Sequence, residues 1–178
     1  EKAQGNLYEF LKQGWRAVEP EREYVDSWHI ACMAEHLQAV YEGQIRNLII
    51  SVAPGSAKSL CTGVFFPCWV WTKNPSYRWL IASHSDLVVT RDAHRMLRLI
   101  KSDWYRQRWG HLFHIWSSSM TDMRNSRTGF RLGATIGGEG TGARVNCTIC
   151  DDALKILERA SRAQKEYVHK NDNSGLKY

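Results

Sequence analysis

The chain has 178 residues, 43% of them hydrophobic, and a formal net charge of +6. That length and apolar share describe a globular chain with a core to bury and exclude a disordered polyelectrolyte. No apolar run is long enough to span a bilayer and no secretory leader is read at the start, so no membrane partner is expected. The basic balance favours a polyanionic partner without requiring one. Five cysteines, an odd number without framework spacing, fit reduced thiols in a cytoplasm.

In chain order, Asn6 to Val18 reads as a helix with Leu7, Phe10, Leu11 and Trp15 on one face. Glu19-Pro20-Glu21-Arg22-Glu23 is a charged break. Ser27 has the character of an N-cap, and Ile30, Met33, Ala34, Leu37 and Val40 recur at helical spacing up to Tyr41, with Gly43 ending the helix. Trp28 and His29 open it. They either stack on and hydrogen-bond an adenine, or plug the core (Trp28) and sit on the surface (His29). Leu48 to Val52 is an apolar, β-branched run expected to form a buried strand. Leu60 to Val70 reads as an apolar helix, Arg78 to Ser83 as a second buried strand, and the stretch from Ser85 or Asp86 to Ile100 as a capped helix. Arg91, Arg95 and Arg98 share a face of that helix and either follow a DNA backbone or form a solvated stripe. Ser102 to Gly110 is a short aromatic, basic segment. Leu112 to Trp116 and Gly129 to Thr135 are expected strands, with Ser117-Ser118-Ser119 a loop. Of the eight tryptophans, Trp69, Trp71, Trp104, Trp109 and Trp116 are expected in the core. The glycine-rich run 137–142 between two strands suggests a functional loop, with Arg144 at its end. Strand–helix alternation of this kind predicts an α/β fold with a mainly parallel central sheet and helices on both faces.

Two stretches carry chemistry. Pro54-Gly55-Ser56-Ala57-Lys58-Ser59 lies between a predicted strand and a predicted helix, the placement of a phosphate-binding loop in P-loop nucleotide hydrolases. A turn at a helix N-terminus aims backbone N–H groups at an anion, the lysine adds a full charge, and the serine hydroxyl can ligate Mg²⁺. Against the general G-x-x-x-x-G-K-[ST] pattern, Val52 and Ala57 fill the glycine slots. The alternative is a plain turn with a solvated lysine. The second stretch, Val145 to Asp152, is an apolar strand ending in paired carboxylates. Beside a phosphate loop, Asp151 would hold Mg²⁺ and Asp152 would orient or deprotonate the attacking water; the alternative is a capping turn. Cys147 and Cys150, three apart in a strand, point to opposite faces and read as buried structural thiols rather than a metal or redox pair.

SWHIACMAEHLQAV, NLIISVAPGSAKS, FFPCWVWTKNPSYRWLIASHSD, RDAHRMLRLIKSDWYRQRWG, GFRLGATIGGEGTGAR and TICDDALK together resemble the ATPase domain of the large terminase subunit of tailed bacteriophages and prophages. The resemblance runs from about Trp28 to Lys155, and P-G-S-A-K-S is a loop form that family uses. It implies a P-loop ATPase using ATP and Mg²⁺ to drive double-stranded DNA into a procapsid. Lys58 and Ser59 would grip phosphates and metal, Asp151 would be the metal-site acid and Asp152 the catalytic acid. An arginine finger is also expected, with Arg144 first and Arg131 second as candidates. By the same resemblance the partners are duplex DNA, a homo-oligomeric ring, a small terminase subunit and a portal. The location is the bacterial host cytoplasm, transiently at the procapsid portal. The expected organisation is a helical lead-in over 1–43, an ATPase core over 44–152 and a helical, polar tail over 153–178. Ala153 stands where a proline commonly follows the aspartate pair, and neither the family's coupling strand nor a nuclease cluster is found. The chain therefore reads as C-terminally truncated and without nuclease activity. Two other readings stand: a helicase-like P-loop ATPase, and a nucleotide- or DNA-binding remnant that does not turn over.

Overall fold

The computed structural model describes residues 2–83, 85–135 and 142–151. Two helices open the chain, α1 (Lys2–Gly5) and α2 (Leu7–Val18). Asn6 caps α2, its side-chain oxygen accepting from Glu9 N at 3.0 Å. The expected apolar face is buried: Leu7, Phe10, Leu11 and Trp15. α3 (Trp28–Tyr41) follows Ser27 and buries Ile30, Met33, Ala34 and Leu37. Gly43, at φ 78, lets the chain leave that helix in a left-handed conformation.

A continuous helix then runs from Lys58 to Lys73 in three parts: α4 (Lys58–Leu60), a π-helical turn (Cys61–Phe65) and α5 (Phe66–Lys73). Pro67 has no N–H to give to the carbonyl of Gly63 one turn back, a local reason for the widened turn. This helix is the centre of the core. Trp15 stacks on Phe65 with centroids 6.1 Å apart, Phe10 meets Phe65, Trp104, Tyr105 and Trp109, and Phe66 meets Trp79 edge-on. Two buried indoles are satisfied, Trp69 Nε1 donating to Gln4 O and Trp71 Nε1 to Tyr77 O, both at 2.9 Å, while the Trp79 indole N–H has no partner among the described residues.

β1 (Arg78–Ser83) has the bounds expected of it. After it come α6 (Asp86–Lys101), α7 (Asp103–Trp109), β2 (Ile115–Ser118), β3 (Asp122–Asn125), β4 (Phe130–Thr135) and β5 (Cys147–Asp151). The five strands form one sheet in the order β2-β3-β4-β1-β5. β1 pairs parallel with β4 and β5, while β2–β3 and β3–β4 are antiparallel. The sheet is therefore mixed, not mainly parallel. Three or four residues join β2 to β3 and β3 to β4, too few for the crossover a parallel pair needs.

Helices cover the face bearing Trp79, Ile81, Arg131 and Gly133. Phe66 packs on Trp79, and α6 lies so close over Gly133 that a Cβ there would run into Val89 Cγ1. On the opposite face Leu80, Phe130 and Leu132 are half-buried, with Arg78 and Arg124 over the Phe130 ring. Helices on both faces are thus not found among the described residues.

Four further expectations change. Ser117 and Ser118, expected in a loop, lie in β2. Leu48 to Val52 forms no strand; it is an unpaired segment in which Leu48, Ile50 and Val52 pack on the core while Ile49 is 93% exposed. Trp116 is 63% exposed because it sits on the outermost strand. Cys150 is exposed and Cys147 half-buried, so these are not buried core thiols; Cys61 and Cys68 are. No helix among the described residues is long and apolar enough to cross a membrane.

Candidate nucleotide site

Loop and strand meet at Asp151. Its carboxylate, at the carboxyl end of β5 and 7% exposed, accepts a hydrogen bond from Ser59 Oγ at 2.5 Å and pairs with Lys58 Nζ at 3.0 Å. Ser59 and Asp151 are 92 residues apart in sequence. Two local features create the meeting. The loop curls through two left-handed positions, Gly55 at φ 83 and Ala57 at φ 60, ψ 17, before Lys58 opens the helix. β5 is held in register on β1 by Asn146, whose N donates to Arg78 O while its Oδ1 accepts from Arg78 N, both at 2.9 Å.

Ala57 occupies the second glycine slot of the general pattern, and its backbone has the conformation glycine adopts at least cost. At this one position the backbone therefore has the left-handed conformation that a glycine would take. Inside the loop, Ser56 Oγ is buried with no hydrogen-bond partner among the described residues. An orphaned hydroxyl is costly unless something supplies an acceptor, which a phosphate oxygen does. Ser83 Oγ, in register beside Asp151 at the end of β1, is likewise buried without a partner.

Two cavities flank Lys58. One, of about 470 Å³, is lined by loop residues 52–60, by Trp15, Glu19 and Arg22 at the end of α2, and by Arg91 and Arg95 of α6. That volume is within the range of small-molecule sites, about 300–1,000 Å³. The other, of about 250 Å³, lies between the segment from Arg46 to Ile50 and the outer edge of β5.

The remaining expected site residues fall as follows. Pro54 to Ser59 all line the larger cavity. Trp28 is 81% exposed and His29 half-buried, and neither lines it. Arg95 pairs with Glu19 at 2.7 Å and with Asp92 at 3.6 Å; Arg91 Nε donates to Asp92 Oδ1 at 2.8 Å; Arg98 Nη1 donates to Val18 O at 3.2 Å. Arg95 and Arg98 are thus joined to the end of α2, and Arg91 to Asp92 on α6 itself, rather than all three forming a plain solvated stripe. Arg144 is exposed and lines neither cavity. Arg131 is wholly buried, donating to Met120 O and Val89 O, and burial pushes its guanidinium down to about 10. It binds α6 to β4 and is not exposed for a finger's role. Asp152 and most of the glycine-rich run lie outside the described residues.

For Mg²⁺, the donor set fits. Ser59 Oγ and Asp151 Oδ2 are two hard oxygens side by side, the small protein contribution typical of a Mg²⁺ that also binds substrate phosphates and water. Among the described residues no group of three or more His, Cys, Asp or Glu side chains could hold a metal. Comparison with protein-family models, curated proteins and solved structures finds no match to this chain.

Proposed function

We propose that this chain binds and hydrolyses Mg-ATP as the motor domain of a DNA-packaging terminase. The observation that carries the reading is the convergence of Lys58 and Ser59 on the buried Asp151 across the sheet edge. The acid stands at the carboxyl end of β5, which pairs parallel with β1, and the carboxyl ends of parallel strands are where open α/β sheets bind ligands. Lys58 neutralises the β- and γ-phosphates, and the Ser56 hydroxyl donates to a phosphate oxygen. Mg²⁺, held by Ser59 and through Asp151, supplies charge neutralisation on the phosphate oxygens. Asp152 takes the proton of the attacking water. The water oxygen bonds to the γ-phosphorus, the bond to the β–γ bridging oxygen breaks, and ADP leaves with the electron pair.

Duplex DNA as cargo, the ring, the small terminase subunit and the portal rest on the sequence resemblance. Arg95 and Arg98 are engaged with the end of α2, and Arg91 and Arg95 line the loop cavity, so no described residue is assigned to DNA. The test is Mg²⁺-dependent ATP binding and hydrolysis by the chain beside Lys58→Ala and Asp152→Asn. The expected result is turnover by the parent, lost binding in Lys58→Ala, and binding without turnover in Asp152→Asn. A parent that binds without turnover supports the non-hydrolysing reading. A folded parent that binds no nucleotide overturns the phosphate-loop assignment.

A further inference from the structure

Asp151 is held by the same groups that would leave it for a ligand. Its carboxylate, 7% exposed, accepts from Ser59 Oγ at 2.5 Å and pairs with Lys58 Nζ at 3.0 Å. Under the nucleotide reading both donors turn away, Lys58 to phosphate oxygens and Ser59 Oγ to the metal. A carboxylate has about four acceptor positions, and a buried one short of donors is costly and poorly oriented. The bound state therefore needs a donor beside Asp151 that the ligand does not claim.

The neighbouring strand carries one. Ser83 ends β1, and the last rung of the parallel ladder sets it in register with Asp151. In-register neighbours share a face of the sheet, and Ser83 follows Trp79 and Ile81 onto the face that the helices cover. Ser83 is 1% exposed, and its Oγ has no hydrogen-bond partner among the described residues. On its other side Ser83 is in register with Thr135, whose hydroxyl already donates to Asp86. Asp151 is thus the in-register neighbour with a charge to be met. Adjacent strands lie about 4.8 Å apart, a gap that a serine hydroxyl and an aspartate carboxylate reach across.

We propose that Ser83 is a positioning residue for the metal-site acid: its hydroxyl donates to the Asp151 carboxylate when Lys58 and Ser59 turn to the nucleotide. This rests on the nucleotide reading above and adds to it the residue that keeps Asp151 aimed after its present donors have gone. Ser83 itself touches neither phosphate nor metal. Outer partners of this kind orient a ligating carboxylate and strengthen its hold on the metal.

The experiment uses the full chain, Ser83→Ala, Ser83→Cys, Asp151→Asn and the Ser83→Ala/Asp151→Asn pair. Three quantities are measured: thermal unfolding without nucleotide or Mg²⁺, ATP affinity in chelator, and the Mg²⁺ concentration that gives half-maximal ATP binding. Without ligand, Ser83→Ala should unfold at the parent's temperature or above it, because it removes a buried hydroxyl that has no partner there. The Mg²⁺ requirement should rise by about 10-fold, the scale of a lost outer-shell bond, while ATP affinity in chelator stays unchanged. Ser83→Cys, close in size but a weak donor, should follow Ser83→Ala. In the Asp151→Asn background Ser83→Ala should add no further loss of ATP affinity in Mg²⁺, because the charge it serves is gone.

A parent-like Mg²⁺ requirement in Ser83→Ala, a clear loss of ligand-free stability, or an equal loss in the Asp151→Asn background would each overturn the role of Ser83 while leaving the phosphate loop in place. A folded parent that binds no nucleotide overturns the functional reading itself, and the role of Ser83 with it.

Discussion

The Lys58–Asp151 pair makes the most direct test of whether loop and strand meet as described. Two unit charges 3.0 Å apart at an effective dielectric of about 20 attract by roughly 5–6 kcal/mol. Only part of that survives as stability, because a quarter of the Lys58 side chain is in water while the Asp151 side chain is 8% exposed. Removing one partner of a buried pair costs about 3–5 kcal/mol; allowing for the solvent around Lys58, Lys58→Ala should cost about 2–4 kcal/mol. Asp151 is then left buried with the Ser59 hydroxyl as its remaining described contact. Asp151→Asn removes the charge but keeps an oxygen for Ser59 and should cost about 1–3 kcal/mol. The double variant should lose less than the two single losses combined, with a coupling energy of about 1–3 kcal/mol. Urea and thermal unfolding at pH 7 without nucleotide read this out; for a domain of this size each kcal/mol moves Tm by about 2–4 °C. Losses that add to within about 0.5 kcal/mol would refute the pair, and with it the docking of the Pro54–Ser59 loop on β5.

Two other outcomes follow from the geometry. Ala57 holds a left-handed backbone that costs a side chain about 1 kcal/mol relative to glycine, so Ala57→Gly should raise stability by about 0.5–1 kcal/mol in urea unfolding, and a loss would mean that the loop is shaped differently. Stability should also fall above pH 9. Burial pushes the Cys61 thiol up to about 12 from its ordinary 9.0 and raises Cys68 and Tyr105 well above their ordinary values. The unfolded chain therefore releases those protons first, so the contribution is full below about pH 9 for the two thiols and about pH 10 for Tyr105, and is lost at about 1.4 kcal/mol per pH unit for each group as pH rises past its ordinary value. Arg131 has the opposite sign, its folded value of about 10 lying below the ordinary 12.5, and offsets part of the loss only above pH 10. Urea unfolding from pH 7 to 10, with Cys61→Ala expected to flatten the slope, checks this.

What could be read from the chain alone divides along physical lines. Helices α2, α3 and α6 are legible because one face of each is apolar at 3.6-residue spacing and that face is buried. β1 is legible to the residue because Trp79, Ile81 and Ala82 are apolar and buried between charged and polar flanks. β3 left no signal: Asp122-Met123-Arg124-Asn125 is polar, and only Met123 and Asn125 turn inward. The Lys58–Ser59–Asp151 constellation was legible as residue types in order. Its neighbours were not. Glu19 reads from the sequence as part of a charged break, and Asp92 carries no reading of its own there, yet one pairs with Arg95 across 76 positions and the other is almost fully buried beneath two arginines. Contacts between elements far apart in sequence have no periodicity to betray them. The orphaned hydroxyls of Ser56 and Ser83 are invisible for the same reason, since what makes them informative is the lack of a neighbour.

The unpaired segment from Leu48 to Val52 gives the site its particular character. It has the alternation of a strand, with Leu48, Ile50 and Val52 toward the core and Ile49 outward, but no ladder joins it to β5 among the described residues. A cavity of about 250 Å³, lined by Leu48, Ile50, Thr148 and Cys150 among others, separates the two backbones. Backbone hydrogen bonds are what ordinarily hold a phosphate loop at the end of its strand. Here the described link between loop and sheet edge is made by side chains: Lys58 and Ser59 reaching the Asp151 carboxylate. The groups that would bind phosphate and metal are therefore the same groups that anchor the loop. A ligand that draws Lys58 onto its phosphates must replace the anchor it removes, so ligand binding and loop position are one equilibrium rather than two. Under the proposed function, that coupling makes the stability of the Lys58 and Asp151 variants and their affinity for nucleotide two readings of the same contact.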